Sequence, residues 1–217
     1  AVEEAAPGII MGSMEGADRI YLSAPDFLDD IAPLAGGPGE VLLCADEVYD
    51  ELNGGVRDPG AIRALVDLAV KTWDPIPSDL VLVGTGHWDP LNRLSSTPSF
   101  IDVLYFESST TSGDDAFTIV EGSAMPQMAV SRIAARQRTD VELLVQKTLV
   151  YESGASAGAW QTLFLGAADD ERSSKHPSDE TMHTESMERL IEQHLPAFVR
   201  PVKHYLIFYD FDEMLKK

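Results

Sequence analysis

The sequence predicts an α/β fold of three layers, in which a mainly parallel sheet carries helices on both faces. Short apolar runs alternate along the chain with helical patterns of about 10 to 15 residues, as in βαβ units. Most of these runs are continuous rather than alternating, which is typical of strands covered on both sides. The chain has 217 residues and no internal repeat. We therefore expect an N-terminal arm over residues 1–17 and one α/β unit over residues 18–217.

The first half of the chain contains three predicted strands. RIYLS at residues 19–23 predicts the first strand, and Pro25 opens a predicted helix, PDFLDDIAPLA. Glu40–Cys44 predicts the second strand. Asp58-Pro59 begins a strong amphipathic helix, DPGAIRALVDLAVKTW, and Leu80–Val83 predicts the third strand.

The middle of the chain predicts a small β-hairpin, one strand and one helix. Phe100–Tyr105 and Ala116–Val120 are the short strands of the hairpin, and Met128–Ile133 is a longer apolar run. Thr139 and Glu142 match a capping box, so a helix is expected from there to about Glu152.

The last part of the chain predicts two more strands with a helix between them. Thr162–Gly166 and His204–Tyr209 (HYLIFY) are the predicted strands, and the helix between them ends near Leu195. Together with the earlier elements, this order predicts parallel strands joined by right-handed crossovers.

Charge and composition exclude some partners. The net charge is −20, so the chain would repel nucleic acid and anionic membrane surfaces. No apolar run approaches the roughly 20 residues that span a bilayer. Cationic peptides and divalent cations remain compatible partners.

Nucleophilic motifs are weak in this sequence, and we predict no catalytic residue within it. Cys44 is the only cysteine and lies inside an apolar run, where a buried, unreactive thiol is the usual outcome. A dyad of Cys44 with His87, oriented by Asp89, is the alternative. Gly154–Gly158 matches G-x-S-x-G, but a helix precedes it and a strand follows, the reverse of a nucleophile elbow.

Polar residues follow several predicted strands. Because sites in open α/β sheets gather at the carboxyl ends of the strands, these residues form a candidate strand-end face. Its members are Asp46, Gly84, His87, Asp89, Arg132 and Asp169.

Cofactor motifs are incomplete. Gly84-x-Gly86 follows a strand, but Asp89 stands where a dinucleotide turn needs its third glycine. His183 and Glu185 are two residues apart, so they do not share a helix face and a transition-metal site with His176 and Asp179 is not favoured. An oxygen-rich calcium site near Asp114-Asp115 or Asp169-Asp170 remains open.

Five ordered segments together resemble the gingipain-type cysteine peptidases, over about residues 16 to 210. The resemblance implies a caspase-like fold and only the N-terminal half of the peptidase. In that family the catalytic histidine lies in a GHG turn and the cysteine ends the next strand, both beyond HYLIFYDFDEM. The segments are ADRIYLSAPDFLDDIAPLA, VLLCADEVYDELNGGVRDPGAIRALV, LVLVGTGHWDPLN, SGDDAFTIVEGSAMPQMAVSRIAARQRTDVELLVQKTLVYE and GAWQTLFLGAADDE.

The resemblance also implies partners and a place of action. The partners are the catalytic half, in the same protein or a second chain, and a peptide or protein substrate, in a secreted or cell-surface setting. In arginine-specific gingipains an acidic residue near the start of the helix after the ADDE-type loop lines the S1 pocket. Asp179 and Glu180 are the nearest candidates here. His87 matches the "G-x-Y" position of an earlier family motif, so it is expected to shape a loop.

Some family positions differ in this chain. Thr85 replaces an aspartate, Ser131 replaces a glycine, and residues 121–124 (EGSA) lack most of an acidic cluster. Two other hypotheses therefore stay open: a divergent pseudopeptidase that acts as a binding or scaffolding domain, and a flavodoxin-like domain for a small ligand.

Overall fold

The computed structural model describes residues 16–91, 93–94, 96–105, 112–155, 157–169 and 181–209. The chain forms two compact units, divided between Glu152 and Ser153. The first unit contains a parallel sheet with several helices packed against it, and the second contains a parallel sheet with one helix, which confirms the α/β class. The arm at 1–17 and the single unit at 18–217 stay a prediction.

The first unit is built on a four-stranded parallel sheet with strand order β2-β1-β3-β4. The two central strands, β1 and β3, carry fully buried side chains such as Ile20, Leu22, Leu80 and Leu82. The strands are β1 (Arg19–Ser23), β2 (Glu40–Cys44), β3 (Asp79–Val83) and β4 (Ala129–Ile133).

Helices cover both faces of this sheet. The connections that leave β1 and β2 run in opposite directions along the sheet, so right-handed crossovers place their helices on opposite faces. Accordingly, α2 packs against α3, and α1 packs against α4. The helices are α1 (Leu28–Ile31), α2 (Ala45–Asn53), α3 (Pro59–Thr72) and α4 (Arg138–Glu152).

The second unit contains a two-stranded parallel sheet, β5 (Leu163–Ala168) and β6 (Arg200–Tyr205), with helix α5 (Met182–His194) between them in the chain. Helix α5 lies close against β5, because a Cβ on Gly166 would be 3.2 Å from the Met187 sulfur. Lys203 Nζ of β6 also pairs with Glu188 of α5 at 2.6 Å.

Two helices differ from the prediction. The segment PDFLDDIAPLA forms a 3-10 turn at Pro25–Phe27 and the short α1, because Pro33 has no N–H to continue the helix. Helix α2 was not predicted, although Gly54 ends it with φ 59° in the left-handed region.

The predicted hairpin strands at Phe100–Tyr105 and Ala116–Val120 were wrong, and the last strand was placed too late in the chain. Asp114–Phe117 is a 3-10 helix, and the only antiparallel pairing among the described residues is a bridge between Tyr105 and Ser112. The last strand ends at Tyr205, because Tyr205 pairs with Ala168, the last residue of β5. Leu206–Phe208 then turns into a 3-10 helix.

The capping box predicted at Thr139 and Glu142 was placed two residues too far along the chain. Helix α4 begins at Arg138, and Asp140 reaches back to accept the N–H groups of Arg136 and Gln137 at 3.0 and 3.3 Å. Asp140 therefore stabilises the start of α4, where the helix dipole also favours an acid.

Candidate functional site

The turn after β3 contains two glycines that allow another segment to approach closely. Gly84 has φ 129°, and a Cβ there would lie 2.6 Å from the Phe100 Cβ. A Cβ on Gly86 would lie 2.5 Å from Val103 Cγ1 and 2.8 Å from the Ile101 carbonyl oxygen. The two glycines therefore serve chain packing, which explains the incomplete dinucleotide motif.

The crevice between β1 and β3 is filled with aromatic rings. The connections leave these neighbouring strands in opposite directions, so their carboxyl ends form the switch point where small ligands usually bind. Here the rings of Phe27 and Phe100 lie 4.7 Å apart, and Phe27 is 1% exposed and touches the Gly84 position. This filling argues against the flavodoxin-like hypothesis.

An arginine from the loop between α2 and α3 holds the far end of the β3 loop. Arg57 donates to both carboxylate oxygens of Asp102, at 3.1 and 2.9 Å, and to the carbonyl of Ser99. The Ser99 hydroxyl donates to Asp102 at 2.5 Å. Because Asp102 is 4% exposed, these charge-assisted bonds compensate for the burial of its charge.

His87 lies in this loop and takes part in two hydrogen bonds within it. Its backbone N–H donates to Ser99 Oγ at 3.1 Å, and its Nδ1 accepts the N–H of Asp89 at 3.1 Å. Asp89 is 7% exposed and accepts the N–H groups of Arg93 and Leu94. These contacts support the interpretation of His87 as a residue that shapes the loop, and Asp89 holds the same loop through its two backbone partners.

Arg132 connects the end of β4 to the β3 loop. Its Nη1 donates to the carbonyls of Gly84 and Ile101 at 2.8 and 3.0 Å. Its other nitrogens bind both oxygens of Asp114, so the structure does not favour calcium at Asp114. The structure thus brings Gly84, His87, Asp89 and Arg132 together around one loop.

Tyr49 is a buried residue of helix α2, and the charges of Asp102 and Arg57 act on its hydroxyl. The side chain is 3% exposed, and burial raises the pKa of its hydroxyl to about 12, with a further contribution from the Asp102 charge. Its hydroxyl has no hydrogen-bond partner in the structure described here. Tyr49 therefore stays protonated at physiological pH.

Cys44 and His87 are separated by a strand. Ser23 of β1 pairs with Cys44 on one side and with Val83 on the other. Two strand spacings, about 10 Å, therefore lie between the backbones of Cys44 and Val83. This arrangement does not favour the Cys44–His87 dyad.

The remaining candidates lie elsewhere. Asp46 is exposed in the first turn of α2, and Asp169 is exposed after β5 in the second unit. Asp169 borders a cleft of ≈ 460 Å³ at the carboxyl end of β5. Asp179, Glu180 and Asp170 lie outside the described residues. The cleft is lined by Ala167, Ala168, Asp169, His183, Ser186, Met187 and Leu190.

Two further properties concern the described residues alone. They contain no group of three or more His, Cys, Asp or Glu side chains placed to hold a metal ion. Within the same residues, no helix combines the length and the apolar character that a membrane crossing requires.

Comparison with known families decides the relationship. The family model of peptidase family C25 matches residues 15–216 of the chain. The chain belongs to peptidase family C25. No curated protein sequence matches it.

Solved structures of gingipain-type proteins share the C25 fold of this chain. Dimeric latent PorU from Porphyromonas gingivalis superposes with a TM-score of 0.58 at 22% identity, over 75% of this chain and 20% of that chain. The Arg-specific cysteine proteinase gingipain R superposes with a TM-score of 0.55 at 14% identity, over 90% of this chain and 42% of that chain. The complex of the pro- and mature domains of Porphyromonas gingivalis RgpB superposes with a TM-score of 0.55 at 15% identity, over 86% of this chain and 42% of that chain. This C25 chain therefore spans less than half the length of these structures.

The sequence did not predict part of the hydrogen-bond network around the β3 loop of this C25 chain. Arg57, Ser99 and Asp102 were not predicted, because residues 45 positions apart carry no local pattern that links them. The only available signal was an arginine next to the helix start at Asp58-Pro59.

Proposed function

We propose that this C25 chain is the N-terminal, non-catalytic subdomain of a gingipain-like cysteine endopeptidase. In this proposal it supports the catalytic half and lines one side of the substrate cleft. The protein acts outside the cell, secreted or at the cell surface. The family match over residues 15–216 supports the peptidase chemistry.

The observation that carries the proposal is a bare face on the sheet of the second unit. Ala168 and Tyr205 point to the face under α5 and are 9% and 1% exposed. Paired residues of parallel strands share a face, so Leu163 and Leu165 point to the opposite one. Leu163 is 40% exposed and Leu165 is 65% exposed.

We expect another part of the protein to bury the exposed face of this sheet. Parallel sheets are normally buried on both faces, and two strands alone are marginally stable in water. Phe198 and Phe208 flank the sheet in sequence and are 76% and 75% exposed. In the proposal, the catalytic half packs on this bare face and removes the apolar surface from water.

The cleft beside Asp169 supports the substrate-lining role. It lies at the carboxyl end of β5, where sites in parallel sheets gather, and Met187 and Leu190 give it apolar walls. Asp179 and Glu180 lie a few residues before α5, the helix that forms one wall. They are proposed to meet a cationic side chain of the substrate.

The geometry also supports the absence of catalysis in this part of the protein. Cys44 lies two strands away from the turn of His87, and His87 and Asp89 are engaged in holding a loop. A nucleophile needs a base within hydrogen-bond reach, about 3 Å. The catalytic pair is therefore proposed to come from the other half.

The reading frame beyond Lys217 tests this proposal first. It is expected to encode a GHG turn and a glycine-flanked cysteine. The two parts produced together should hydrolyse arginyl or lysyl reporter peptides in a thiol-dependent manner, whereas the 217-residue chain should not. Hydrolysis by this chain alone that depends on Cys44 would refute the proposal.

A different result would favour the alternative function. If neither the following reading frame nor a second chain supplies the histidine and the cysteine, the chain is a divergent pseudopeptidase that binds or scaffolds other proteins. The loop network around Arg57 and Arg132 would then hold a binding surface rather than support a peptidase.

A further inference from the structure

The link between α2 and α3 begins with the only Asn-Gly pair of the chain. Asn53 is the last residue of α2, and Gly54 follows it with φ 59° and ψ 35°, in the left-handed region. Both residues are exposed. Asparagine is a chemically labile residue, and glycine has no Cβ that would shield its backbone nitrogen. The pair therefore places a side-chain amide carbon beside an unhindered nitrogen.

The reaction that this pair supports needs only water. The Gly54 nitrogen loses its proton and attacks Cγ of Asn53, which forms a C–N bond and closes a cyclic imide. The bond from Cγ to the side-chain nitrogen breaks, and that nitrogen takes up a proton and leaves as ammonia. Water then opens the imide at either carbonyl. The product is an aspartate, or an isoaspartate in which the main chain runs through the side chain and gains a methylene group.

The folded end of α2 restrains both reacting groups. The Gly54 N–H donates to the Tyr49 carbonyl, and the Gly55 N–H donates to the same oxygen at 2.9 Å. The Asn53 side-chain nitrogen donates to the Val56 carbonyl at 2.8 Å. A backbone nitrogen whose proton is held in a hydrogen bond is a poor nucleophile, so the reaction proceeds when the helix end opens. Helix ends open at a small cost in free energy.

The product weakens the turn that follows α2. A carboxylate at position 53 has no N–H to donate, so it repels the Val56 carbonyl that the amide now binds. Its negative charge also lies at the carboxyl end of a helix, where the dipole disfavours it. Asp50 is close by, because a Cβ on Gly55 would lie 3.1 Å from its Oδ1. The new charge therefore adds to an existing one.

The same turn leads directly into Arg57. Val56 closes the turn from its other side, because its N–H donates to the Asn53 carbonyl at 3.2 Å. The next residue, Arg57, donates to both oxygens of Asp102 and to the carbonyl of Ser99. Asp102 is 4% exposed and depends on these bonds, so a turn that no longer positions Arg57 weakens the β3 loop.

We propose that Asn53 is a site of spontaneous deamidation, and that its conversion releases the Arg57–Asp102 pair that holds the far end of the β3 loop. The modification requires neither an enzyme nor a cofactor. It adds one negative charge to the chain and, in the isoaspartate form, lengthens the main chain at the end of α2. The proposal is independent of the catalytic half.

Ageing of the full chain at mildly alkaline pH tests the proposal, with peptide mass mapping at intervals. We expect Asn53 to gain the mass of an NH2-to-OH replacement, at a rate that rises with hydroxide concentration. In urea the rate should increase roughly tenfold or more, because the end of α2 is then open. Asn92, the only other asparagine, precedes the bulky Arg93 and should react far more slowly. An isoaspartate methyltransferase should label residue 53 of the aged chain.

Variants separate the chemistry from its effect on the loop. Asn53→Gln should abolish the ageing, because a glutamine closes the larger imide ring far more slowly. Asn53→Asp reproduces one product and should speed hydrogen exchange of residues 99–102, where the N–H groups of Phe100 and Ile101 bind the Thr85 carbonyl. We expect exchange there to be roughly tenfold faster in Asn53→Asp and in the aged chain. Gln146→Glu adds the same charge at an exposed position of α4 and should leave this exchange unchanged.

Several results would overturn the proposal. The absence of a mass gain at residue 53, in the folded chain and in urea, would remove the modification site. Equal gains at Asn53 and Asn92 would show unspecific ageing. Equal rates with and without urea would show that the end of α2 does not restrain the reaction. Deamidation without faster exchange at residues 99–102 would separate Asn53 from the Arg57–Asp102 pair.

Discussion

Arg132 binds Asp114 through two parallel hydrogen bonds, in which Nε donates to Oδ2 at 2.8 Å and Nη2 donates to Oδ1 at 2.7 Å. The Arg132 side chain is 12% exposed and also donates to two backbone carbonyls. Arg132→Ala is therefore expected to lower the free energy of unfolding by about 1.5–3 kcal/mol, measured by urea denaturation. Arg136→Ala, at an exposed arginine nearby, is the control and should change it by less than about 0.5 kcal/mol. Equal losses in both variants would contradict this assignment.

Most elements of the first sheet could be predicted from the sequence because they follow local patterns. The predicted bounds of β1 and β2 match the structure, and α3 was placed within a residue at each end. In α3 the Asp58 side chain accepts the Gly60 N–H at 2.6 Å, and Ile62, Leu65 and Val66 are fully buried. An N-cap, a proline and one apolar face are all local signals.

The failures involved contacts between distant residues. HYLIFY looked like a strand, but a strand ends where its partner ends, and β5 stops at Ala168. The predicted strand at 116–120 became a 3-10 helix in which Phe117 is fully buried and Asp114 binds Arg132. Of the candidate site, the polar turn after β3 was predicted, but its link to Arg57 was not. No local pattern encodes a pairing across 45 residues.

Acid stability depends on the pair of Asp30 and Arg138. Arg138 donates to both Asp30 oxygens at 2.8 Å and holds the pKa of that carboxyl below its ordinary value of 3.8. The folded state then binds this proton less readily than the unfolded state, so the pair stabilises the fold above pH 3.8. This contribution is lost as the pH falls through the lower, folded-state pKa. Asp30→Asn should flatten the fall of the urea midpoint below about pH 4, and Asp29→Asn is the control.

A substitution of Leu165 is expected to change association with the catalytic half without changing the stability of the chain. Because its side chain is 65% exposed, Leu165→Ser should leave the stability of the chain unchanged. If the catalytic half covers this face, the same change should weaken association roughly tenfold or more, since burying a leucine contributes about 1.5–3 kcal/mol. Leu143→Ser, at a residue 66% exposed in the first unit, is the matched control for titration calorimetry. Unchanged affinity in Leu165→Ser would remove this face from the interface.

Cys44 is expected to be dispensable for peptide hydrolysis. It lies half-buried at the end of β2, and β1 separates it from the strand that leads to His87. Cys44→Ala in the protein that includes the catalytic half should therefore leave kcat/KM for reporter peptides unchanged. An active-site-directed alkylating agent should label wild type and variant equally. Labelling that disappears with Cys44 would place the nucleophile in this chain after all.

Asp179 and Glu180 are expected to set specificity for a cationic side chain. A carboxylate that binds a guanidinium through two charge-assisted bonds contributes about 1.5–3 kcal/mol, so Asp179→Asn or Glu180→Gln should lower kcat/KM for arginyl peptides roughly ten- to a hundredfold. A role limited to the helix dipole, worth about 0.3–1 kcal/mol, would instead lower stability and leave kcat/KM unchanged. Glu192→Gln, near the end of α5, is the control for loss of one negative charge. Arginyl and norleucyl peptides compared side by side separate the two roles, because only a specificity residue changes their ratio.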